Sequence, residues 1–499
     1  MKFCRNRFLF VAALLLSNSF INNASAAAPV DILLRVHWLG LNQISADTNA
    51  ARFMKVWQLP QTTALLAQTF YKCSRWLGGG GVTNAASGLL RPLLDDLVSS
   101  ESYLEIAATN RSSATAHPSV AFAIRLSAQR ARLWQTNLPS AANRVSLSQS
   151  GEWTLVGIGA DSADLLESFA TRIPRHTPPA ATNYWLEADL AFDYLPAFVP
   201  QPVSFAIHHS SLSYIHLTVT GQAGEVVTRG TLDFSHPLDL TLPSWEIPTN
   251  LIHEPLAAFT AVRGLAKWLA GLSAWQQLQF TPPPDQAFLW AQWGMPFQTY
   301  FAFPLSAASN QLSQLANRLV QNANPWLAVN AMGSFQWQTD LTALVWKDTL
   351  IVSPILQPVV LNQRDYLIGG LFTLLPGKAI PLSAEILRPI LDHTNLVYYQ
   401  TELTGRLVED DLAMSQLFRL IFHQAQLPPQ AVATQCLHTI APLLGGCTTV
   451  ITQASPQQLV LTRKSTIGIT ALELQLLADW LESPQFPHGL HTFLAQPDQ

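Results

Sequence analysis

Aliphatic and aromatic positions fall along this chain in short runs separated by turn residues. Most runs are too brief for helices and rich enough in β-branched and aromatic side chains to be strands. Tyr103 to Ala107 and Val120 to Leu126 read as a strand pair, as do Phe288 to Trp293 and Thr299 to Phe303. Each pair leads into a segment of helical spacing, Ala128 to Leu138 in one case and Asn310 to Val320 in the other. Trp153 to Ile158 and Thr349 to Val352 read as further strands. Tyr184 to Leu190 and Val397 to Leu403 follow, each running into a helical stretch. Two hairpins close the pattern: Tyr214 to Thr220 with Val226 to Phe234, and Thr448 to Gln453 with Gln458 to Thr466. Gly221, Gly224, Ser455 and Pro456 supply their turns.

The order of these elements repeats, and look-alike helices frame the repeat. One helix begins at Thr48-Asn-Ala-Ala-Arg52 and runs through Lys55 and Trp57, and a second is predicted from Thr260-Ala-Val-Arg263 through Lys267 and Trp268. A third starts at Thr470-Ala-Leu-Glu473 and runs through Asp479 and Trp480, with Thr470 and Glu473 spaced as a capping box. The expected fold is α+β, with two tandem, internally duplicated lobes of mainly antiparallel sheet flanked by helices. The lobes are placed at 27–250 and 251–466, and 467–499 forms a C-terminal capping helix and tail. Pro178-Pro179, Pro200-Gln-Pro202 and Pro282-Pro-Pro284 mark loops.

The first 26 residues carry a different pattern. Lys2, Arg5 and Arg7 precede the apolar run Phe8 to Leu16, and Ala24-Ser25-Ala26 supplies a small-x-small cleavage site. The run is well short of the ~20 residues that span a bilayer. Leu341 to Leu361, the best later rival, is broken by Lys347, Asp348, Pro354 and Pro358. The reading is an exported protein, periplasmic or extracellular, cleaved after about Ala26 and without a transmembrane helix in the mature chain.

Cleavage removes three positive charges from a formal net charge of −4, leaving −7, which makes nucleic acid an improbable partner. Charged residues make up 12% of the chain against ~25% in an average soluble protein, so amides and hydroxyls must wet much of the surface. Fifteen Trp and twenty-four Phe feed a large core or an apolar groove. Cys73, Cys436 and Cys447 survive maturation, an odd number. Cys436 is placed inside a helix and Cys447 at the start of the next strand, too far apart for a bridge.

Candidate chemistry is sparse. Asp189 and Glu402 occupy equivalent places in matching strands, and Arg229 and Arg463 each follow a Thr in matching hairpin strands, so one structural ion pair per lobe is expected. Gly157-Ile158-Gly159 reads as a strand-to-helix turn, since Ser162 stands where a dinucleotide loop needs its third glycine. Gly78 to Gly81 lacks a following Lys-Ser or Lys-Thr. His208, His209, His216, His488 and His491 show no metal-ligand spacing, and no GxSxG occurs, so neither cofactor nor metal is predicted. A triad assembled from distant residues is recognised by geometry and has no sequence signature.

Ile44-Ser-Ala-Asp-Thr-Asn-Ala-Ala51, Leu90-Arg-Pro-Leu-Leu-Asp-Asp96, Met295-Pro-Phe-Gln-Thr-Tyr300, Asn324-Pro-Trp-Leu327, Lys464-Ser-Thr-Ile-Gly468 and Ala478-Asp-Trp-Leu-Glu-Ser483 together resemble a family of exported bacterial proteins of about this length. That family has no assigned activity, so the resemblance implies export and carries over no functional residues. The function expected from the sequence is a non-enzymatic binding protein that uses an interlobe cleft or apolar surface for an apolar ligand or an envelope protein. The alternatives are a hydrolase with a site assembled between the lobes, and a structural envelope component.

Overall fold

The computed structural model describes residues 31–77, 84–109, 117–141, 145–159, 162–173, 184–192, 211–293, 298–329, 332–348, 353–371, 380–422, 430–483 and 486–487. Residues 1–26, where the sequence pattern places an export signal, lie outside them, as do Gly78–Gly81, His208, His209, Thr349–Val352, His488 and His491. The described residues form an α+β protein with fourteen α-helices and antiparallel strand pairings throughout. None of these helices is long and apolar enough to cross a membrane.

The chain opens with β1 (Asp31–Trp38), α1 (Leu41–Ile44), α2 (Ala51–Trp57), α3 (Pro60–Leu77), α4 (Asn84–Ser99), β2 (Ser102–Thr109) and β3 (His117–Arg125). It continues through α5 (Ala128–Ala141), β4 (Val145–Ser150), β5 (Trp153–Ile158), α6 (Ser162–Arg172), β6 (Leu186–Ala191), β7 (Leu212–Gln222) and β8 (Glu225–Phe234). After the short β9 (His253–Glu254) come β10 (Leu256–Arg263), α7 (Ala266–Gly271), α8 (Ser273–Leu278), β11 (Gln286–Gln292), β12 (Thr299–Pro304), α9 (Ala308–Asn322) and α10 (Asn324–Val329). Four further strands follow, β13 (Ser334–Gln338), β14 (Ala343–Lys347), β15 (Ile355–Leu361) and β16 (Arg364–Gly370). Next are β17 (Ile380–Pro381), which pairs with β9, then α11 (Ala384–Leu391), β18 (Leu396–Leu403) and α12 (Thr404–Phe422). The chain ends with α13 (Val432–Ile440), β19 (Gly446–Ser455), β20 (Gln458–Ser465) and α14 (Ala471–Glu482).

Two compact units result, and their bounds differ from the expected 27–250 and 251–466. The first comprises Met1–His236, Ser415–Leu444 and Val460–Gln499, and the second Pro237–Met414 and Gly445–Leu459. The C-terminal helix is counted with the first unit. Its anchoring explains the difference: Lys72 of α3 donates to the carbonyls of Leu481 and Glu482 at the end of α14, and Glu482 accepts from Gln68 and from the Ala433 amide of α13. A lysine at a helix C-terminus satisfies orphan carbonyls and favours the dipole.

In the first unit the strands pair in the order β4, β5, β3, β2, β1, β6, β7, β8. Strand β1 alternates, so Leu34 and Val36 join Leu104, Ile106, Val120, Leu190 and Ile215 on one face, while Arg35 and His37 point to the other. On that second face α6 lays Leu165, Leu166 and Phe169 over Ala107, Ala121, Ala123 and Leu155. Small strand residues let the helix approach closely. Gly157 serves the same end, because a Cβ there would stand 2.5 Å from Ser146 Oγ and 2.6 Å from the Leu166 side chain. The β7–β8 turn at Ala223 and Gly224 has φ of 52° and 79°, the left-handed pair that a tight hairpin of matching twist requires.

In the second unit the order is β13, β14, β15, β16, β12, β11, β10, β18, β19. Residues Thr260 to Arg263, expected to open a helix, form the end of β10, and helix α7 begins only at Ala266. Burial alternates strictly along β10, with Ala257, Phe259, Ala261 and Arg263 inward, and this period of two overrides a local resemblance to the Thr48 helix. The core stacks Phe259, Phe288, Trp290, Tyr300, Tyr366 and Tyr399 around Ile390 of α11. Arg263 is 3% exposed and held by carbonyls alone, donating to Leu396, Pro243 and Thr394 at 2.6, 2.6 and 2.5 Å, with its guanidinium 4.6 Å from the Trp245 ring. Burial pulls its pKa down, opposed by the charge of Asp285.

Strand β13 pairs only with β14 among the described residues. Its outer side is capped at Phe335, whose amide and carbonyl are both bonded by the side-chain amide of Asn324, at 2.7 and 2.9 Å. A side-chain amide here takes the place of a neighbouring strand and blunts an edge that reads Ser-Phe-Gln-Trp-Gln without a charge. Asn324→Ala should free this edge. Light scattering or sedimentation should then show concentration-dependent self-association at unchanged far-ultraviolet circular dichroism, and a variant that stays as monodisperse as the parent would refute the role.

Candidate functional site

The alternation that buries one face of the first unit's sheet concentrates polar groups on the other. Register places Arg35 opposite Glu105 on β2 and opposite Asp189 on β6, Asp189 opposite His216 on β7, and His216 opposite Thr231 on β8. A second row runs beside it: Tyr103, His37, Glu187, Thr218 and Arg229. Residues opposite one another share a face, with Cβ atoms about 4.5–5.5 Å apart.

Contacts knit the first row together. Arg35 Nε donates to Glu105 Oε1 at 3.1 Å, and Arg172, in the last turn of α6, donates to Glu105 Oε2. Further along, Asp189 Oδ1 accepts from Tyr214 Oη at 2.5 Å and faces His216 Nδ1 at 2.8 Å. An ionised carboxylate can only accept, so Nδ1 carries the proton of this contact and Nε2 is left for another partner. Burial and the bond to Asp189 raise the Tyr214 pKa, keeping the phenol protonated. The side chains of Asp189 and His216 are 27% and 36% exposed, reachable from solvent yet partly desolvated.

The second row leads into a closed polar knot. His37 stacks on Tyr103 with ring centres 4.1 Å apart and 3° between planes, and its Nε2 lies 3.1 Å from Glu101 Oε1. Gln43 and Arg125 donate to Glu101 Oε2, and Arg125 also reaches Glu152. Burial alone would raise the Glu101 pKa, but the bonds from His37 and Gln43 and the charges of His37 and Arg125 outweigh it and hold the carboxyl below its ordinary value. Beside the knot, Arg125, Ser127, Gln149 and Glu152 help line an open depression of about 440 Å³. Every carboxylate and guanidinium of the knot has a partner.

The four charged residues singled out in the sequence have other partners than those expected. Asp189 is bonded by Tyr214 and His216, while the exposed Arg229 reaches Gln222 at 3.4 Å. Arg463 makes a bidentate, buried pair with Glu473 at 2.6 and 3.1 Å, and Glu402 accepts from Gln400 and Thr404. The register of the hairpins explains the outcome, since Arg229 lies opposite Thr218, one row from the carboxylate. Glu473 also completes the capping box with Thr470, so one carboxylate both starts α14 and neutralises Arg463. Removing either partner of a pair so buried costs about 3–5 kcal/mol. Cys436 and Cys447 are not bridged, as the helix geometry required, and burial raises the Cys73 thiol to about 11.

Arg35, Glu105, Tyr214 and Thr231 were not foreseen, and His216 was weighed only as a metal ligand. The available clue was the order Leu34-Arg35-Val36-His37, where a strand of the core carries two charges-to-be on its alternate positions.

The second unit offers a surface of opposite character. Trp326 and Val329, three residues apart on α10, are 60% and 86% exposed, and Met332 just beyond is 41% exposed. Val320 at the end of α9 is 38% exposed. No Asp, Glu, Lys, Arg or His occurs from residue 319 to 339. No protein-family model matches the chain, and neither a curated protein nor a solved structure matches it.

One ionisable group is held against its preference in the helical layer of the first unit. Asp479 of α14 has its pKa pushed up to about 6 by burial, partly offset by a 3.2 Å bond from Gln475. A carboxyl with a folded pKa above its unfolded value favours the folded state most below the unfolded value and loses that contribution as pH rises through about 6. Asp479→Asn should therefore match the parent near pH 4 and exceed its unfolding free energy by roughly 1–3 kcal/mol at pH 8. Denaturant titrations at the two pH values measure the difference, and a variant less stable at pH 8 would contradict it.

Proposed function

We propose that the chain is an exported binding protein that engages an apolar partner through the second unit. The exposed Trp326, Val329 and Met332 within an uncharged stretch carry this reading. Large apolar side chains exposed close together on soluble proteins mark interaction sites. The N-terminal basic residues, apolar run and Ala24-Ser25-Ala26 support export.

We also infer that the two units descend from one duplicated element. Support comes from the strand order β4, β5, β3, β2, β1, β6, β7 in the first unit and β15, β16, β12, β11, β10, β18, β19 in the second, encountered in the same chain order. Helices α5 and α9 follow the third strand of each set, and α6 and α11 follow the hairpin. On this reading α10, β13 and β14 are an insertion into the second copy, and α10 carries the apolar surface.

The test is a Trp326→Ser, Val329→Ser double variant, compared with the parent for binding of a fluorescent hydrophobic dye and for retention on a phenyl-substituted matrix. Losing two such side chains should weaken binding about tenfold or more, the equivalent of 1.4 kcal/mol, with the thermal midpoint unchanged. Equal binding by the two proteins would remove the basis of the proposal.

A further inference from the structure

We propose that Asp189, His216 and Thr231 form a carboxylate, imidazole and hydroxyl line across three adjacent strands of the first unit, and that this line hydrolyses carboxylic esters bearing an anionic group. The order matches the roles of orienting group, base and nucleophile, which are defined by geometry. Each member is directly opposite the next in register, on β6, β7 and β8. The 2.8 Å contact between Asp189 Oδ1 and His216 Nδ1 turns that edge of the ring toward β6. With Nδ1 engaged by Asp189, Nε2 is the ring nitrogen left for a hydroxyl, and Thr231 stands directly opposite His216 on β8 with its Cβ about 4.5–5.5 Å from that of His216. Hydrogen bonds of this kind are commonly long in the free protein and tighten around a substrate.

Two neighbours make the arrangement more than a pair of polar residues. Tyr214 donates to the same Asp189 oxygen at 2.5 Å, which fixes the carboxylate and so the imidazole. Arg229 is two residues from Thr231 on the same face of β8, exposed, and with no carboxylate within ion-pair distance among the described residues. As the diagonal neighbour of His216, its Cα lies about 7–8 Å away, a fitting span for the anionic end of an ester whose carbonyl sits over Thr231. Asp189 acts through His216 and is a positioning residue.

In the reaction, Thr231 Oγ1 bonds to the ester carbonyl carbon while His216 Nε2 takes the hydroxyl proton. The bond from that carbon to the alcohol oxygen breaks, and the imidazolium returns the proton to the departing alkoxide. Water then attacks the acyl-threonine, again giving a proton to Nε2, and the carboxylic acid leaves as Thr231 recovers its hydrogen. Ester and water become acid and alcohol, and no other reactant is needed.

The mature protein should hydrolyse 4-nitrophenyl hemisuccinate faster than 4-nitrophenyl acetate, and faster than free imidazole at equal concentration. A fluorophosphonate should add to Thr231, located by peptide mass spectrometry. Thr231→Ala and His216→Gln should lower kcat about 100-fold or more, the usual worth of a nucleophile and its base, while Thr231→Ser restores it. Asp189→Asn should lower kcat at constant KM, and Arg229→Gln should abolish the preference for the hemisuccinate. Hydrolysis no faster than imidazole, labelling elsewhere than Thr231, or full activity in Thr231→Ala would overturn the proposal. The Trp326 and Val329 surface takes no part, so the outcome is independent of the binding reading.

Discussion

Strand β1 has a strand on each side, and its alternation therefore has to satisfy two neighbours at once. Leu34 and Val36 secure one face of the first unit by apolar burial, and each fully buried aliphatic side chain there contributes about 1.5–3 kcal/mol. The same period of two forces Arg35 and His37 onto the opposite face, where the buried His37 must find partners or be left desolvated and Arg35 keeps part of its side chain in water. Glu105 and Asp189 flank Arg35, and Tyr103 and Glu187 flank His37, so the polar face follows from the apolar one. A slip of one residue in β1 would put two charges into the core and two aliphatic groups among carboxylates, and register is correspondingly well determined.

In a chain with 12% charged residues, a few of the charges serve the interior. Glu473 with Arg463 and Arg263 with three carbonyls tie separate elements together where water is scarce, and the buried Glu105 does so from one side, its partners Arg35 and Arg172 keeping contact with solvent. Such groups add little net stability compared with apolar residues of the same shape, but they penalise wrong pairings heavily, since an unpaired buried charge costs several kcal/mol. Gln, Asn, Ser and Thr wet much of what remains, with Asn324 doing so at a sheet edge.

Much of the fold was legible because long alternating runs survive in any context: β2, β3, β5, β11, β12 and β18 all stand where the pattern put them. The helix at Thr470 was legible from its capping box. Thr260 to Arg263 misled because four residues resembling a helix start outweighed the longer alternation from Leu256 onward. The ion pairs misled for a different reason. Equivalent places on strands fix which face a residue points to but not which neighbour it meets, and a shift of one row gave Asp189 to His216 and left Arg229 to Gln222. No sequence pattern marks a line of three groups contributed by strands that are adjacent only after pairing.

The second unit is spliced into the first, and this has a temporal consequence. A ribosome delivers residues in order, so β1 through β8 emerge long before β20, α13 and α14, which complete the same unit. Until then Lys72, Gln68 and the strand β8 wait without the helices and strand that finish them. The second unit, nearly continuous in sequence, has most of its parts in hand earlier. Maturation is thus closed by the carboxyl-terminal segment, which acts as the clasp that arrives last.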